Sequence, residues 1–301
     1  MPFPVLSQYL ARLSEVSSSG VDASGVDTSG EQTPGPSIWL DKAGKAQGRF
    51  FSCTMTSAFQ PIRELDTDRV LAYEGLARSV SAVDAGLSLW KLLDHAASDD
   101  ESIELDRLCR MLHAINFFRQ PEAEHAQLYL NVHDRLLSAV SSNHGYAFQR
   151  ILDALGLPIA GIVLQLPAVT AKQNWLLNYV ADNYRRNGFA CAVNVTGPAE
   201  ALGLLERLRP AAFKLDARSV SGTRAGAELL TACHAAGVKV IFKRVDSALN
   251  LDLLRQAAQD SGLPVLLQGY LLDHPGPLLA AQRSRPAPSD AVAPADAGLR
   301  D

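Results

Sequence analysis

The stretch MTSAFQPI (residues 55–62) is followed by the polar segment DTDR (66–69) and then by VLAYEGLAR (70–78). Both apolar runs have the length and composition of β-strands, and a connection this short is typical of a hairpin. A parallel pair would need a crossover of a dozen or more residues. The sequence therefore predicts that the first two strands of the main domain are antiparallel.

Short apolar runs then alternate with helical patterns over the rest of the chain. The apolar runs lie at 71–76, 128–132, 162–166, 190–195, 212–215, 238–242 and 265–267, and the helical patterns lie at 101–119, 171–186, 199–208, 223–236 and 246–260. Repeated strand–helix units predict one α/β domain with a mostly parallel sheet. The number of units favours a closed eight-stranded barrel over an open sheet. No G-x-G-x-x-G follows the first strand to support a dinucleotide-binding fold.

The segments outside the barrel have a different composition. Within residues 1–14, apolar side chains recur at i, i+3, i+4 and i+7 from Leu6 to Leu13, which predicts a short helix that docks on the main domain or, as the alternative, on a partner. Residues 15–37 are rich in Ser, Gly, Asp and Thr and are interpreted as a flexible linker. The barrel is expected over 38–280, and a disordered Pro- and Ala-rich tail over 281–301.

Composition excludes several classes of protein. The chain has 301 residues, 47% hydrophobic and 20% charged, with a net charge of −4, so a polymeric nucleic acid is not expected as a partner. The four cysteines form no C-x-x-C pair, and three of them lie inside apolar stretches and are interpreted as small buried hydrophobic residues in a reducing compartment. No apolar run approaches the roughly 18 residues of a membrane span, and no signal-peptide pattern is present, so we expect a cytoplasmic protein.

Polar residues end the apolar runs. Because the functional site of such a barrel gathers at the carboxyl ends of its strands, we expect these side chains to surround one mouth. They are Glu74, Arg78, Asn131, Gln165, Asn194, Lys214, Asp216, Lys243 and Gln268.

The order of these motifs resembles the EAL domains that hydrolyse cyclic di-GMP. The matching motifs are Gln60-Pro61-Ile62, the Tyr-Glu-x-Leu-x-Arg run from Tyr73 to Arg78, Asn131, Lys214-Leu215-Asp216, and Gln268-Gly269-Tyr270 with Pro275, and they span roughly 55–277. The resemblance implies an EAL-type modified TIM barrel with an antiparallel first strand. It also implies a two-metal phosphodiesterase site, in which acids hold divalent ions that activate water.

The metal positions that the resemblance implies are degenerate in this chain. Glu74 and Asn131 match, but Gln165 stands where an acid is expected, and Ala168 replaces its companion acid. Asn194 and Val195 replace the Asp pair of Asp-Asp-Phe-Gly, and the Ala-Glu-Gly-Val-Glu motif reads Phe242-Lys243-Arg244-Val245-Asp246. The degenerate metal positions are therefore Gln165, Asn194, Val195 and Lys243.

These replacements change the chemistry that is expected. At about 4 Å and an effective dielectric constant near 20, each pair of unit charges is worth about 4 kcal/mol, so losing several acids and gaining Lys243 disfavours a divalent cation. We expect no Mg²⁺ or Mn²⁺, no catalytic residue and no hydrolysis. The same changes make the mouth more favourable to an anion, and cyclic di-GMP carries two phosphates. The candidate ligand-binding residues are Gln60, Glu74, Leu76, Arg78, Asn131, Lys214, Lys243 and Gln268.

Three functions follow from these observations. The first is a catalytically inactive EAL-like module that acts as a cyclic di-GMP receptor or regulatory adaptor. The second is an adaptor that binds a protein and ignores the nucleotide, and the third is an active phosphodiesterase with an atypical metal site. Because residues 194–201 have lost the motif that in the family helps to couple dimerisation to metal binding, we also predict a weakened or different dimer.

Structural roles are the alternative for several of the same side chains. Asn131, Gln165 and Asn194 are predicted to form a hydrogen-bond network in place of a metal cluster. Glu74 is expected to pair with Arg78 or Lys243, and Lys214 with Asp216 or Glu74. Phe242 is expected in the core, and Gly269 at a close backbone approach beside the last strand.

Overall fold

A computed structural model describes residues 3–18, 38–51, 53–80, 98–133, 144–168 and 174–280. The predicted tail (281–301), most of the predicted linker (19–37) and the first three residues of the helical pattern at 171–186 lie outside the described residues. The helix predicted within residues 1–14 extends to Ser18, so the first four residues assigned to the linker are helical.

Eight strands close into a barrel. The ten strands of the described residues pair in the order β1-β2-β3-β10-β9-β8-β7-β6-β5-β4, and the pairing of β3 with β4 joins the two ends of the eight-stranded part. Their bounds are β1 Ile38–Leu40, β2 Ala46–Phe50, β3 Cys53–Glu64, β4 Val70–Ser79, β5 Gln127–Asn131, β6 Ile162–Leu166, β7 Ala190–Val195, β8 Ala212–Asp216, β9 Lys239–Lys243 and β10 Leu266–Leu267.

The strand directions confirm the predicted hairpin. β3 is antiparallel to β4 and to β10, whereas every pairing from β4 round to β10 is parallel. Gln60 lies opposite Glu74 in the β3–β4 register. This register brings residues of the Gln60-Pro61-Ile62 motif and of the Tyr73–Arg78 motif onto neighbouring strands.

Helices cover the outside of the barrel. α2 begins where Ser98 and Glu101 form a capping box, which is why it starts before the predicted pattern at 101–119. The helices of the described residues are α1 Pro4–Ser18, α2 Asp99–Phe118, α3 His144–Leu155, α4 Asn174–Arg186, α5 Pro198–Leu205, α6 Thr223–Ala235 and α7 Ala248–Ser261, with short 3-10 turns at Pro121–His125, Ile159–Gly161 and Ala217–Ser219. None of these helices is long and apolar enough to cross a bilayer.

Two apolar cores hold the domain together. A large outer core lies between the strands and the helices and contains Phe242, as predicted. Its three buried cysteines are free thiols, and burial raises the pKa of Cys191 to about 12. A smaller inner core fills the barrel with one buried side chain from each strand: Ile62, Ala72, Tyr129, Val163, Ala192, Ala212, Ile241 and Leu266.

The N-terminal helix packs on the same domain. Leu6 and Leu10 of α1 are buried in the outer core, and the ring of Phe3 meets Phe118 edge-on with centroids 5.1 Å apart. Val5 packs over Gly156, which has a φ of 63° at the end of α3. The apolar stripe read from the sequence is therefore the docked face of α1.

Candidate functional site

A ring of polar side chains lies directly above the inner core. Side chains two residues apart on a strand point to the same face, so the residue after next from each inner-core position also faces the barrel axis. On β3, which runs the other way, that residue precedes the core position. The eight residues, which we call the polar ring, are Gln60, Glu74, Asn131, Gln165, Asn194, Lys214, Lys243 and Gln268.

Glu74 and Lys214 form an ion pair in the polar ring. Nζ of Lys214 lies 2.7 Å from Oε2 of Glu74 and also donates to Oε1 of Gln165 at 3.0 Å. Lys214 has no exposed surface, and the Glu74 side chain is 12% exposed. A buried ammonium of this kind needs a carboxylate partner, and Glu74 supplies it.

Three amides complete the hydrogen bonding of the Glu74 carboxylate. Oε1 accepts from Nδ2 of Asn131 at 2.8 Å and from Nε2 of Gln165 at 3.4 Å, while Oε2 accepts from Nε2 of Gln268 at 2.8 Å. Nε2 of Gln165 also donates to Oδ1 of Asn131 at 2.8 Å. Both oxygens of the one carboxylate in the polar ring are therefore occupied by donors from the protein.

These contacts fix the charge of Glu74. Burial alone would raise the pKa of its carboxyl group. The Lys214 ammonium and the hydrogen bonds from Lys214, Asn131 and Gln268 outweigh burial and lower the pKa to about 2. Glu74 is therefore a carboxylate at neutral pH.

Gln268 connects this cluster to β3. Its Nε2 also donates to Oε1 of Gln60 at 3.0 Å, and Nε2 of Gln60 donates to the carbonyl of Asp273 at 3.0 Å. Because Nε2 of Gln268 faces two acceptors, the orientation of its amide is determined. Oε1 of Gln268 is consequently left buried without a hydrogen-bond partner among the described residues.

Asn194 and Lys243 form a separate pair. Nζ of Lys243 donates to Oδ1 of Asn194 at 2.7 Å, and Nδ2 of Asn194 donates to the carbonyl of Leu166 at 3.0 Å. Burial lowers the pKa of the Lys243 amine, and the nearby Lys214 lowers it further. Within the described part of the chain, no carboxylate lies within ion-pair distance of Lys243.

The structure corrects two of the contacts expected from the sequence and confirms the expected alternative in which Lys214 pairs with Glu74. Glu74 pairs with Lys214, not with Arg78 or Lys243, because the inward-facing lysine on β8 reaches it across the barrel. Asn194 does not join the Asn131–Gln165 network, since its oxygen accepts from Lys243. Val195 is buried in the outer core, because the residue after Asn194 points to the opposite face of β7.

Two candidate residues lie outside the polar ring. Leu76 and Arg78 follow Glu74 along β4, and Arg78 is exposed, with a guanidinium nitrogen donating to the carbonyl of Ala77 at 2.9 Å. Asp216, which was expected as a partner for Lys214, instead accepts from Nε of Arg218 at 2.9 Å.

The polar ring does not fit a divalent cation. A hard cation prefers several free oxygen ligands, anionic ones above all, and this ring offers one carboxylate whose oxygens already accept from an ammonium and three amides. The described residues hold no group of three or more His, Cys, Asp or Glu side chains arranged to bind a metal.

The sequence correctly indicated one backbone feature and missed another. A side-chain carbon on Gly269 would lie 2.2 Å from the carbonyl oxygen of Val245, which confirms the predicted close approach. The missed feature is Arg244, a non-glycine residue with a φ of 60° at the rim of the barrel. The only sequence signal for it was an arginine in the place of the glycine of the Ala-Glu-Gly-Val-Glu motif.

Comparisons with known proteins agree with this geometry. A family model described as the EAL domain matches residues 45–275. No curated protein sequence matches the chain. Three solved structures share the fold with 22% identity or less, and the matches cover 74–76% of this chain.

These three structures contain cyclic di-GMP. Klebsiella pneumoniae BlrP1, a manganese and cyclic di-GMP complex, is 22% identical with a TM-score of 0.60. Bacillus subtilis YkuI, with cyclic di-GMP and calcium, is 20% identical with a TM-score of 0.62, and the match covers 56% of each of these two chains. The Xanthomonas citri FimX EAL domain, in complex with cyclic di-GMP, is 18% identical with a TM-score of 0.60 and is matched over 88% of its length.

Proposed function

This chain belongs to the EAL domain family, and on that premise we propose that it is a non-catalytic member that acts in cyclic di-GMP signalling in a bacterial cytoplasm. Its role is that of a receptor for the dinucleotide or of a regulatory adaptor. The EAL fold is that of proteins whose solved structures hold cyclic di-GMP.

The missing acids of the polar ring are the observation that carries the loss of catalysis, because Gln165, Asn194 and Lys243 stand where the family motifs have metal-binding acids. The Lys214 ammonium lies 2.7 Å from the carboxylate that would have to ligate a metal, and Asn131 and Gln268 donate to the same carboxylate. A metal would have to displace a buried ammonium and would find only neutral amides as further ligands. With Gln165, Asn194 and Lys243 in the places of acids, the ring keeps Glu74 as its one carboxylate, which supports a site that holds no divalent cation.

The charge of the polar ring supports an anionic ligand. Its charged members are Glu74, Lys214 and Lys243. The negative charge of Glu74 neutralises that of Lys214. The positive charge of Lys243 is left over, because its hydrogen-bond partner Asn194 is a neutral amide. A phosphate oxygen would supply the anionic partner that this ammonium lacks among the described residues.

Calorimetry with cyclic di-GMP in metal-free buffer tests binding. We expect a dissociation constant in the micromolar range or tighter that is weakened roughly ten-fold or more in Lys243→Gln and in Arg78→Ala. Lys239→Gln is the matched control, because Lys239 is an exposed lysine at the opposite end of the same strand. Absence of heat at high concentration would contradict the receptor role and favour the protein-binding adaptor.

An assay with Mg²⁺ and then Mn²⁺ tests the loss of catalysis separately. We expect no hydrolysis of cyclic di-GMP by the wild-type chain or by Gln165→Glu with Asn194→Asp, because Lys243 remains in the mouth. Metal-dependent turnover by the wild type would establish an active phosphodiesterase with an atypical site. Rescue by the double substitution alone would show that Lys243 does not exclude the metal.

A further inference from the structure

Arg244 holds a backbone conformation that is unfavourable for its side chain. Its φ is 60°, and the other non-glycine residues with positive φ among the described residues are Phe51 and Asp68. In this left-handed region the Cβ of an L-residue crowds the following carbonyl, so glycine is the residue that fits with least strain. The arginine therefore strains the backbone at position 244, and another interaction has to offset that strain.

The surrounding contacts explain the conformation but not the arginine. Val245 is fully buried, its amide donates to the carbonyl of Gln268 at 3.1 Å, and its carbonyl accepts from the amide of Leu271 at 3.2 Å. Gly269 packs directly against the Val245 backbone. The chain must therefore turn at residue 244 whatever its side chain. Glycine would satisfy the fold, and the motif of the family has glycine at this position.

The guanidinium of Arg244 lies at the rim of the mouth. Its Nη1 is 3.6 Å from Oδ2 of Asp216, and Asp216 lies opposite Lys243 in the β8–β9 register. Asp216 is already bound by Arg218, which donates to both of its carboxylate oxygens. The other acid of this rim, Asp246, accepts from the amide of Tyr270. Arg244 therefore adds positive charge beside Lys243, and its side chain is 58% exposed.

We propose that Arg244 forms an outer anion subsite at the rim of the barrel, next to the inner cation Lys243, and that Asp216 positions its guanidinium there. This inference rests on the proposed function and deepens it. A ligand with two separated phosphates would place one against Lys243 and the other against Arg244. The arginine would then be retained for its contact with the anion, at the expense of backbone strain.

The test measures affinity and stability in the same variants. In Arg244→Gly we expect the melting temperature to rise by about 2–4 °C, because the strain is relieved, while the affinity for cyclic di-GMP falls roughly ten-fold. Arg244→Ala keeps the strain and should lose affinity without the gain in melting temperature. Asp68→Gly is the matched control, since Asp68 has a φ of 53° in the β3–β4 turn, and it should leave the affinity unchanged.

The outcomes separate this subsite from the proposed function. If the wild type binds cyclic di-GMP and both Arg244 variants bind it equally well, the subsite is refuted and the receptor function stands. If the wild type does not bind the dinucleotide, a titration with inorganic pyrophosphate decides whether Arg244 forms an anion subsite. Binding that Arg244→Ala weakens would retain the subsite while the proposed ligand fails. No binding of either probe, or pyrophosphate binding that Arg244→Ala leaves unchanged, would overturn the subsite together with the receptor role.

Discussion

At the scale of single residues, the ammonium of Lys214 does for Glu74 what a divalent cation would do in a metal-binding site. It supplies positive charge at 2.7 Å, and the amides of Asn131, Gln165 and Gln268 supply the remaining donors. Because the lysine is part of the chain, this cation cannot dissociate as a bound metal ion can. Glu74 is therefore a carboxylate at neutral pH without any bound ligand.

The pH dependence of stability follows from the lowered pKa of Glu74. The pKa of its carboxyl group is about 2 in the folded chain against 4.5 for the unperturbed group, so its contribution is complete above about pH 4.5 and is lost as the pH falls towards 2. The contribution is on the order of 3 kcal/mol. We expect Glu74→Gln to be less stable than the wild type at pH 7 and to lose less unfolding free energy between pH 4.5 and 2, as measured by urea unfolding.

A variant of the partner residue provides the control for that measurement. Lys214→Met leaves the Glu74 carboxylate buried without its cation, so the pKa of Glu74 should rise and the loss of stability should begin at higher pH. Identical pH profiles for the wild type and Glu74→Gln would show that this carboxylate does not titrate between pH 4.5 and 2.

Sequence reasoning placed the residues of the site but not their contacts. The period of two along each strand identifies which side chains face the barrel axis, and so Gln165, Lys214 and Gln268 could be found without coordinates. Which of two acids accepts from Lys214 depends on distances across the barrel, which are set by the closure of the sheet. The positive φ of Arg244 depends on the packing of Gly269 against Val245, and its one sequence signal is the arginine in the place of the motif glycine.

At the scale of one element, α2 contains an ion pair that is fully enclosed. Asp106 is 2% exposed and Arg110 is 4% exposed, and Nη2 of the arginine lies 2.5 Å from Oδ2 of the aspartate. Asp106 also accepts from the amide of His133, and the Arg110 guanidinium lies 5.8 Å from the ring centre of Phe148. The pair therefore links α2 to the end of β5 and to α3.

Removing one partner of this ion pair should lower the unfolding free energy more than replacing both partners by apolar residues. Arg110→Met leaves a buried carboxylate without its cation and should lower the unfolding free energy by about 3–5 kcal/mol. The double variant Asp106→Leu with Arg110→Met removes both charges and should be less destabilised than Arg110→Met alone. Urea unfolding of the two single variants and the double variant gives the coupling energy. Additive losses would mean that the two side chains do not interact in solution.

The elements themselves were largely predictable, for a physical reason. Buried parallel strands are continuous apolar runs, and seven such runs correspond to β4–β10. The connection at 66–69 is too short for a crossover, which fixed the antiparallel direction of β3. The two short strands β1 and β2 were not predicted, because Ile38–Leu40 has only three residues and the alternation in Ala46–Phe50 places just one large apolar side chain, Phe50, on the buried face. Both strands form by extending the sheet beside β3.

At the scale of the whole molecule, the segment after β10 binds to the β3–β4 hairpin, which is the first hairpin of the barrel. Gly276 exchanges two backbone hydrogen bonds with Phe59, and the Arg63 guanidinium binds the Asp273 carboxylate through two nitrogens at 2.6 and 2.9 Å. The Tyr73 hydroxyl accepts from the amide of Ala280 and donates to its carbonyl. The strands that begin the barrel are thus tied to the residues that end it, which keeps Gln60 and Gln268 within hydrogen-bonding distance.

The N-terminal helix lies outside the closed sheet and docks on it through one apolar face, and we expect it to open independently of the barrel. Its fully buried residue is Leu6, so Leu6→Ala should weaken docking by the equivalent of about 2–5 kcal/mol. Hydrogen exchange of the α1 amides should then accelerate at least ten-fold, while β5–β9 exchange as in the wild type. Arg12→Ala, on the exposed face of α1, is the control and should leave both rates unchanged. If Leu6→Ala accelerates exchange in the strands by the same factor, α1 belongs to the cooperative unit of the barrel and does not detach on its own.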